Sequence, residues 1–210
     1  MPNRSLQHPR GIATRTMSKA FIPEQPVVAF ASAAAFRKWL TRHHAGHSGI
    51  WLKIAKKASG IPTVTYAEAL DEALCFGWID GQKKTFDATA FLQKFTKRGK
   101  RSVWSKINVS HVARLQKEGR MKPAGLAAVA AAKADGRWAA AYHSSSTAEM
   151  PEDFLTALAR EPDARAFFGT LNKTQRYSFF FRITTAKKTE TRSKRIADFV
   201  TMLKRGEKLH

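Results

Sequence analysis

Cysteine, acidic residues and long apolar runs are what this chain has least of. Its one cysteine, Cys75, rules out an internal disulfide and suits a reducing compartment. Acidic residues number 16 against 37 lysines and arginines, a net charge of +21. Charge so one-sided exceeds what solubility needs and favours a polyanionic partner: nucleic acid, acidic lipid or an acidic protein. No apolar stretch reaches the length of a membrane-spanning helix, since the nearest run, PAGLAAVAAAKADG, is short and interrupted by Lys133. Glycine-rich phosphate cradles and internal repeats are missing as well, and no cofactor is expected.

What is present reads as a folded protein. With 210 residues, 43% of them hydrophobic, the chain has material for one large domain or two small ones. The opening residues 1–24 carry Arg4, Arg10, Arg15 and Lys19 without a sustained apolar core. They are expected to form a flexible basic tail on a cytoplasmic protein whose working start is either Met1 or Met17. An α+β domain is expected over 25–145 and a helical C-terminal subdomain over 146–210, with His143-Ser-Ser-Ser-Thr147 as the linker.

Local signals place the elements. Ser32 caps a helix with Phe36, Trp39 and Leu40 on one stripe, and His43, His44 and His47 follow in a glycine-bounded loop. Their spacing lacks a matching cysteine or carboxylate set, so they read as solvated histidines and no metal is expected. Ile50, Leu52 and Ile54 alternate with Trp51 and Lys53, which predicts a strand with one buried face. Thr65-Tyr-Ala-Glu68 is a capping box opening a helix that runs to Phe76, with Gly77 suited to a left-handed stop. Trp78–Phe86 and Ala90–Thr96 read as two antiparallel strands, with Gly81 marking a bulge or a close backbone approach. Together these segments predict a small antiparallel sheet packed with helices. Ser105 and Pro123 then open two further helices, and Pro151, Pro162, Asn172 and Glu190 mark four more.

The motifs YAEALDEALCFGWIDG, SVWSKIN, GRMKPAG, AKADGRW and AKKTETRSKRI resemble the bacteriocin-protection, YdeI or OmpD-associated family over roughly residues 29–206. In the basic segment ahead of WSKIN that family carries a Pro-Arg pair, whereas here the residues are Lys97-Arg-Gly-Lys-Arg101. The resemblance implies a role in protection against bacteriocins or cationic antimicrobial peptides and association with an outer-membrane porin, and it brings no catalytic residue or cofactor.

Chemistry-bearing residues concentrate between Thr65 and Lys122. Ten lysines and arginines fall in residues 94–122 against one acid, Glu118. With Phe95 and Trp104 interleaved, that stretch suits phosphate contacts and base stacking, unless Trp104 belongs to the core. Asp80 beside Trp78 is either a general base in an enzyme of unknown reaction or a turn residue paired with a lysine. Cys75, on an apolar helix turn, reads as a small core residue. The reading is a non-catalytic, stress- or defence-associated binding protein with a basic surface for an acidic or polyanionic partner. That surface comprises Lys56, Lys57, Trp78, Asp80, Lys100, Arg101, Trp104, Ser105 and Asn108.

Overall fold

The sheet grows from alternation and tight turns. The computed structural model describes residues 25–144 and 146–209; the expected basic tail, residues 1–24, lies outside them. Four strands, β1 (Val27–Ala29), β2 (Gly49–Ala55), β3 (Trp78–Thr85) and β4 (Ala90–Lys97), stand in the order β1-β2-β4-β3. The hairpin β3–β4 is antiparallel, as is β2–β4. The sheet is mixed, however, because β1 runs parallel to β2. A three-residue strand has too little alternation to announce itself, which is why an all-antiparallel sheet was expected.

Helix α1 (Ala33–His43) connects β1 to β2, and α2 (Tyr66–Cys75) leads into β3. Both pack on the face that carries Ile50, Leu52, Ile54 and Phe95, and the resulting core also takes in Phe36, Leu40, Leu70 and Leu74. The α2 capping box forms as expected, with Glu68 N–H donating to Thr65 Oγ1 and Thr65 N–H to Glu68 Oε2. Register breaks between Asp80 and Lys83, placing a bulge at Gly81. The opposite sheet face is not simply polar: Trp51 is only 3% exposed, beneath the ammonium groups of Lys84 and Lys94 at 5.1 and 5.7 Å. Strand alternation places Trp51 on the face opposite the core, and there long cationic stems lie over its ring.

Helices α3 (Lys106–Lys117) and α4 (Pro123–Ala134) close this first core. A second buried cluster belongs to α5 (Glu152–Ala159), α6 (Pro162–Thr170), α7 (Lys173–Thr184) and α8 (Thr189–Lys204). Phe154, Phe168, Phe179 and Phe199 form its centre. The architecture is α+β, with helices following the sheet.

Candidate functional site

Gly77 sets up the first part of the site. Its φ of +74° reverses the chain after α2, and a Cβ there would come within 2.8 Å of the Ala124 carbonyl oxygen. Arg98 N–H donates to Gly77 O at 3.0 Å, so the segment after α2 and the exit of the β3–β4 hairpin lie side by side. Trp78 and Asp80 then leave the same face of β3 in different directions. The Trp78 indole is fully buried and donates to His44 O at 3.1 Å. Asp80 is half-buried and its Oδ2 accepts from the Tyr66 hydroxyl at 2.7 Å.

Next to Asp80 sits a cation that sequence reading passed over. The Arg98 guanidinium stacks 3.5 Å from the centroid of Trp104 and donates through Nη1 to Val103 O. Its Nε and Nη2 are buried without an acceptor among the described residues, as is Trp104 Nε1. Burial lowers the Arg98 pKa to about 10, a shift that the nearby Asp80 charge opposes. Burial also raises the phenols of Tyr66 and Tyr142, and the Asp80 charge raises both further. Asp80 is thus an acceptor and counter-charge within a tyrosine–arginine rim, and the Trp78 ring turns away toward α1 instead of forming a wall beside it.

The second part is a groove of about 640 Å³ at the far end of the hairpin, lined by Lys56, Lys57, Lys83, Lys84, Thr85 and Phe91. The Gly81 bulge re-aims β3 so that Lys83 pairs with Gln93 and Thr85 with Phe91. Buried Gln93 fixes the bulge by donating to Gly81 O at 2.9 Å and Gln82 O at 3.3 Å. Lys56 Nζ donates to the carbonyls of Asp87 and Ala88, tying the strand exit to the hairpin turn. Lys83 Nζ lies 4.2 Å from the Phe91 ring centroid. The nearby acid, Asp87, is engaged by Thr89 and Ala90, and those hydrogen bonds lower its pKa. Among the described residues, no carboxylate lines the groove.

The surface drawn from sequence therefore divides. Lys56 and Lys57 line the groove, while Lys100 and Arg101 are exposed on the turn after β4. Trp78, Trp104, Ser105 and Asn108 are buried and support the rim without facing solvent. Ser105 caps α3 by accepting from Asn108 N–H at 3.1 Å. Trp104 lies against Trp138 and under Arg98, so base stacking on it from solvent is closed off. The basic stretch 94–122 is not one face either: Arg114 pairs with Asp71 and Glu118, and Arg120 with Glu72. Nor are the loop histidines simply solvated: the rings of His43 and His47 pack on Trp39, and His44 lies against Phe76. Lys83, Lys84 and Phe91 were missed as a group. Pairing the QKKTF run against Ala90–Phe91 across the hairpin was the signal that brings them together.

Two family models match the chain. Residues 28–128, which hold the groove and the Tyr66, Asp80 and Arg98 part of the rim, match a domain of unknown function (DUF8412). Residues 147–206, the segment of α5 to α8, match the family described as bacteriocin-protection, YdeI or OmpD-associated. No curated protein and no solved structure gives a match. The GWIDG and WSKIN motifs lie in the first segment, AKKTETRSKRI in the second. The resemblance to the bacteriocin-protection, YdeI or OmpD-associated family is thus matched over residues 147–206.

Proposed function

We propose that this is a non-catalytic, defence-associated binding protein that takes an acidic or polyanionic partner along the lysine groove. The observation that carries the reading is the groove's composition: four lysines around an aromatic and a threonine, with no carboxylate in the lining. Ammonium groups held beside phenylalanine and threonine offer charge together with a surface on which a flat or apolar part of the partner rests. The net charge of +21 adds a long-range attraction that draws a polyanion in. The family match to residues 147–206 supports the defence-associated role. The two separate buried clusters support a division into an α+β domain over 25–145 and a helical subdomain over 146–210.

Salt titration of binding to duplex DNA, single-stranded RNA and vesicles of acidic phospholipid tests the proposal. At least one of these is expected to bind with an affinity that falls steeply as salt rises. For duplex DNA the slope of log affinity against log salt is about −0.9 per phosphate contact. Lys57→Glu with Lys83→Glu, both exposed positions, is expected to flatten that slope by about two contacts. Binding that ignores salt, that is absent for all three ligands, or that survives the double reversal unchanged would overturn the proposal.

A further inference from the structure

A second cavity lies away from the hairpin, where one face of α1, the end of α2 and the start of α4 meet. It is a cleft of about 580 Å³ whose floor is Ala34, Phe76, Pro123 and Ala124 and whose rim carries Lys38 and Lys122. The size is that of a site for a small organic molecule, not a polymer. Three features give it a charge preference. Neither the Lys38 nor the Lys122 ammonium meets a carboxylate among the described residues. The acid behind the cleft, Glu72, is 5% exposed and already bound by Arg37 at 2.6 Å and Arg120 at 2.8 Å. Arg37 itself lies 5.7 Å from the Phe76 centroid and lines the same wall. The field over an apolar floor is therefore positive, and no acid among the described residues lines the cleft to cancel it.

The cleft is also preformed. Lys122 N–H donates to Cys75 O at 3.0 Å, and Gly125 approaches so closely that a Cβ there would fall 2.3 Å from the same oxygen. Backbone contact of this kind locks the start of α4 to the end of α2, so a ligand does not have to order the walls. We propose that this cleft binds a small amphipathic organic anion, with its apolar body on Phe76, Pro123 and Ala34 and its charged head between Lys38 and Lys122. The occupant is a free small molecule and the residues differ from those of the lysine groove, so the two proposals stand or fall separately.

Calorimetric titration of the full chain with decanoate, decanol and decyltrimethylammonium tests it. Decanoate is expected to bind saturably at one site. Decanol, which shares the body without the charge, should bind roughly tenfold more weakly or worse, and the cation more weakly still. Ala34→Trp, at an exposed position of α1, should fill the cleft and remove binding without lowering the melting temperature. Lys38→Glu with Lys122→Glu should abolish the preference for decanoate over decanol, while Lys57→Glu with Lys83→Glu should leave decanoate binding unchanged. The proposal fails if decanoate does not bind, if decanol binds as tightly, or if the Ala34→Trp chain retains full affinity.

Discussion

The two buried clusters of this molecule both pack ring against ring, but they differ in how many cations lie against those rings. In the first, cations lie on rings: Arg98 on Trp104, Lys83 on Phe91, Lys84 and Lys94 on Trp51, Arg37 on Phe76. In the second, Phe179 touches Phe154, Phe168 and Phe199 at centroid distances of 6.3, 5.9 and 5.2 Å, and one cation, Arg176, lies 5.6 Å from the Phe168 ring. Its cross-helix charges pair at the surface instead, Arg192 with Asp153 and Lys204 with Glu161. Exposed pairs of this type contribute little to stability. The second cluster thus depends mainly on apolar packing, whereas the first gives more of its aromatic surface to holding cations in place.

Removing the central ring of the second cluster is the strongest way to break this comparison. Phe179 is fully buried, and Phe179→Ala is expected to cost about 3–5 kcal/mol. All five tryptophans, residues 39, 51, 78, 104 and 138, belong to the first region, so their fluorescence reports on that region alone. In the variant, helical circular dichroism should show an early transition while tryptophan fluorescence keeps the parent midpoint. If both signals fall together, the clusters form one cooperative unit and the contrast between them has no thermodynamic meaning.

A pair of glycines sharpens the comparison at smaller cost. Ala is the better helix former by about 1 kcal/mol, so a glycine inside a helix needs a packing reason. Gly125 in α4 has one: an added Cβ would lie 2.3 Å from Cys75 O and 2.9 Å from Leu74 O, both backbone atoms that cannot turn aside. Gly169 in α6 has nothing within 4 Å. Gly125→Ala is therefore expected to destabilise the fluorescence transition by about 2 kcal/mol, and Gly169→Ala to leave stability unchanged or raise it by less than about 1 kcal/mol. Equal effects at both positions would show that the α2–α4 joint is no tighter than the helical region.

Legibility in the sequence follows the range of the interactions. The capping boxes at Thr65/Glu68 and Asn172/Gln175 close within three residues, and both were readable as letters. So was the Gly81 bulge, because a glycine inside an alternating strand has few other uses. The parallel pairing of β1 was not readable, since it depends on a helical crossover and three residues of strand. Glu72 has no local signal that sets it apart on α2, yet it is buried where arginines 35 residues earlier and 48 later converge on it. Arg98 similarly disappeared into a run of basic residues, and only the fold sets it apart from exposed Lys100 and Arg101 by placing it on Trp104. The candidate surface was half legible for the same reason: chain neighbours Lys56 and Lys57 were found, and their partners across the bulged hairpin were not.

The smallest expected effect concerns the contact between the two regions. Tyr177 of α7 donates its hydroxyl to His143 O at 2.9 Å, and Phe181 meets the Tyr142 ring edge-on at 4.9 Å. Burial, with Tyr142 nearby, pushes the Tyr177 phenol up from 10.0 to about 12. A phenol whose pKa is higher folded than unfolded favours the neutral form in the fold. Its contribution is then whole below pH 10 and disappears as pH climbs toward 12. Tyr177→Phe deletes the titrating group, so stability measured by denaturant titration should fall less steeply with pH across that window. The deleted hydrogen bond lowers the neutral-pH baseline by no more than about 1 kcal/mol. Because the hydroxyl reaches His143 O while Phe181, which packs on the Tyr177 ring, meets Tyr142 of the first region, the change should appear in helical circular dichroism and tryptophan fluorescence alike. A parent-like slope in the variant would assign the alkaline loss to Tyr66 and Tyr142, whose phenols are also raised, and would remove Tyr177 from the coupling between regions.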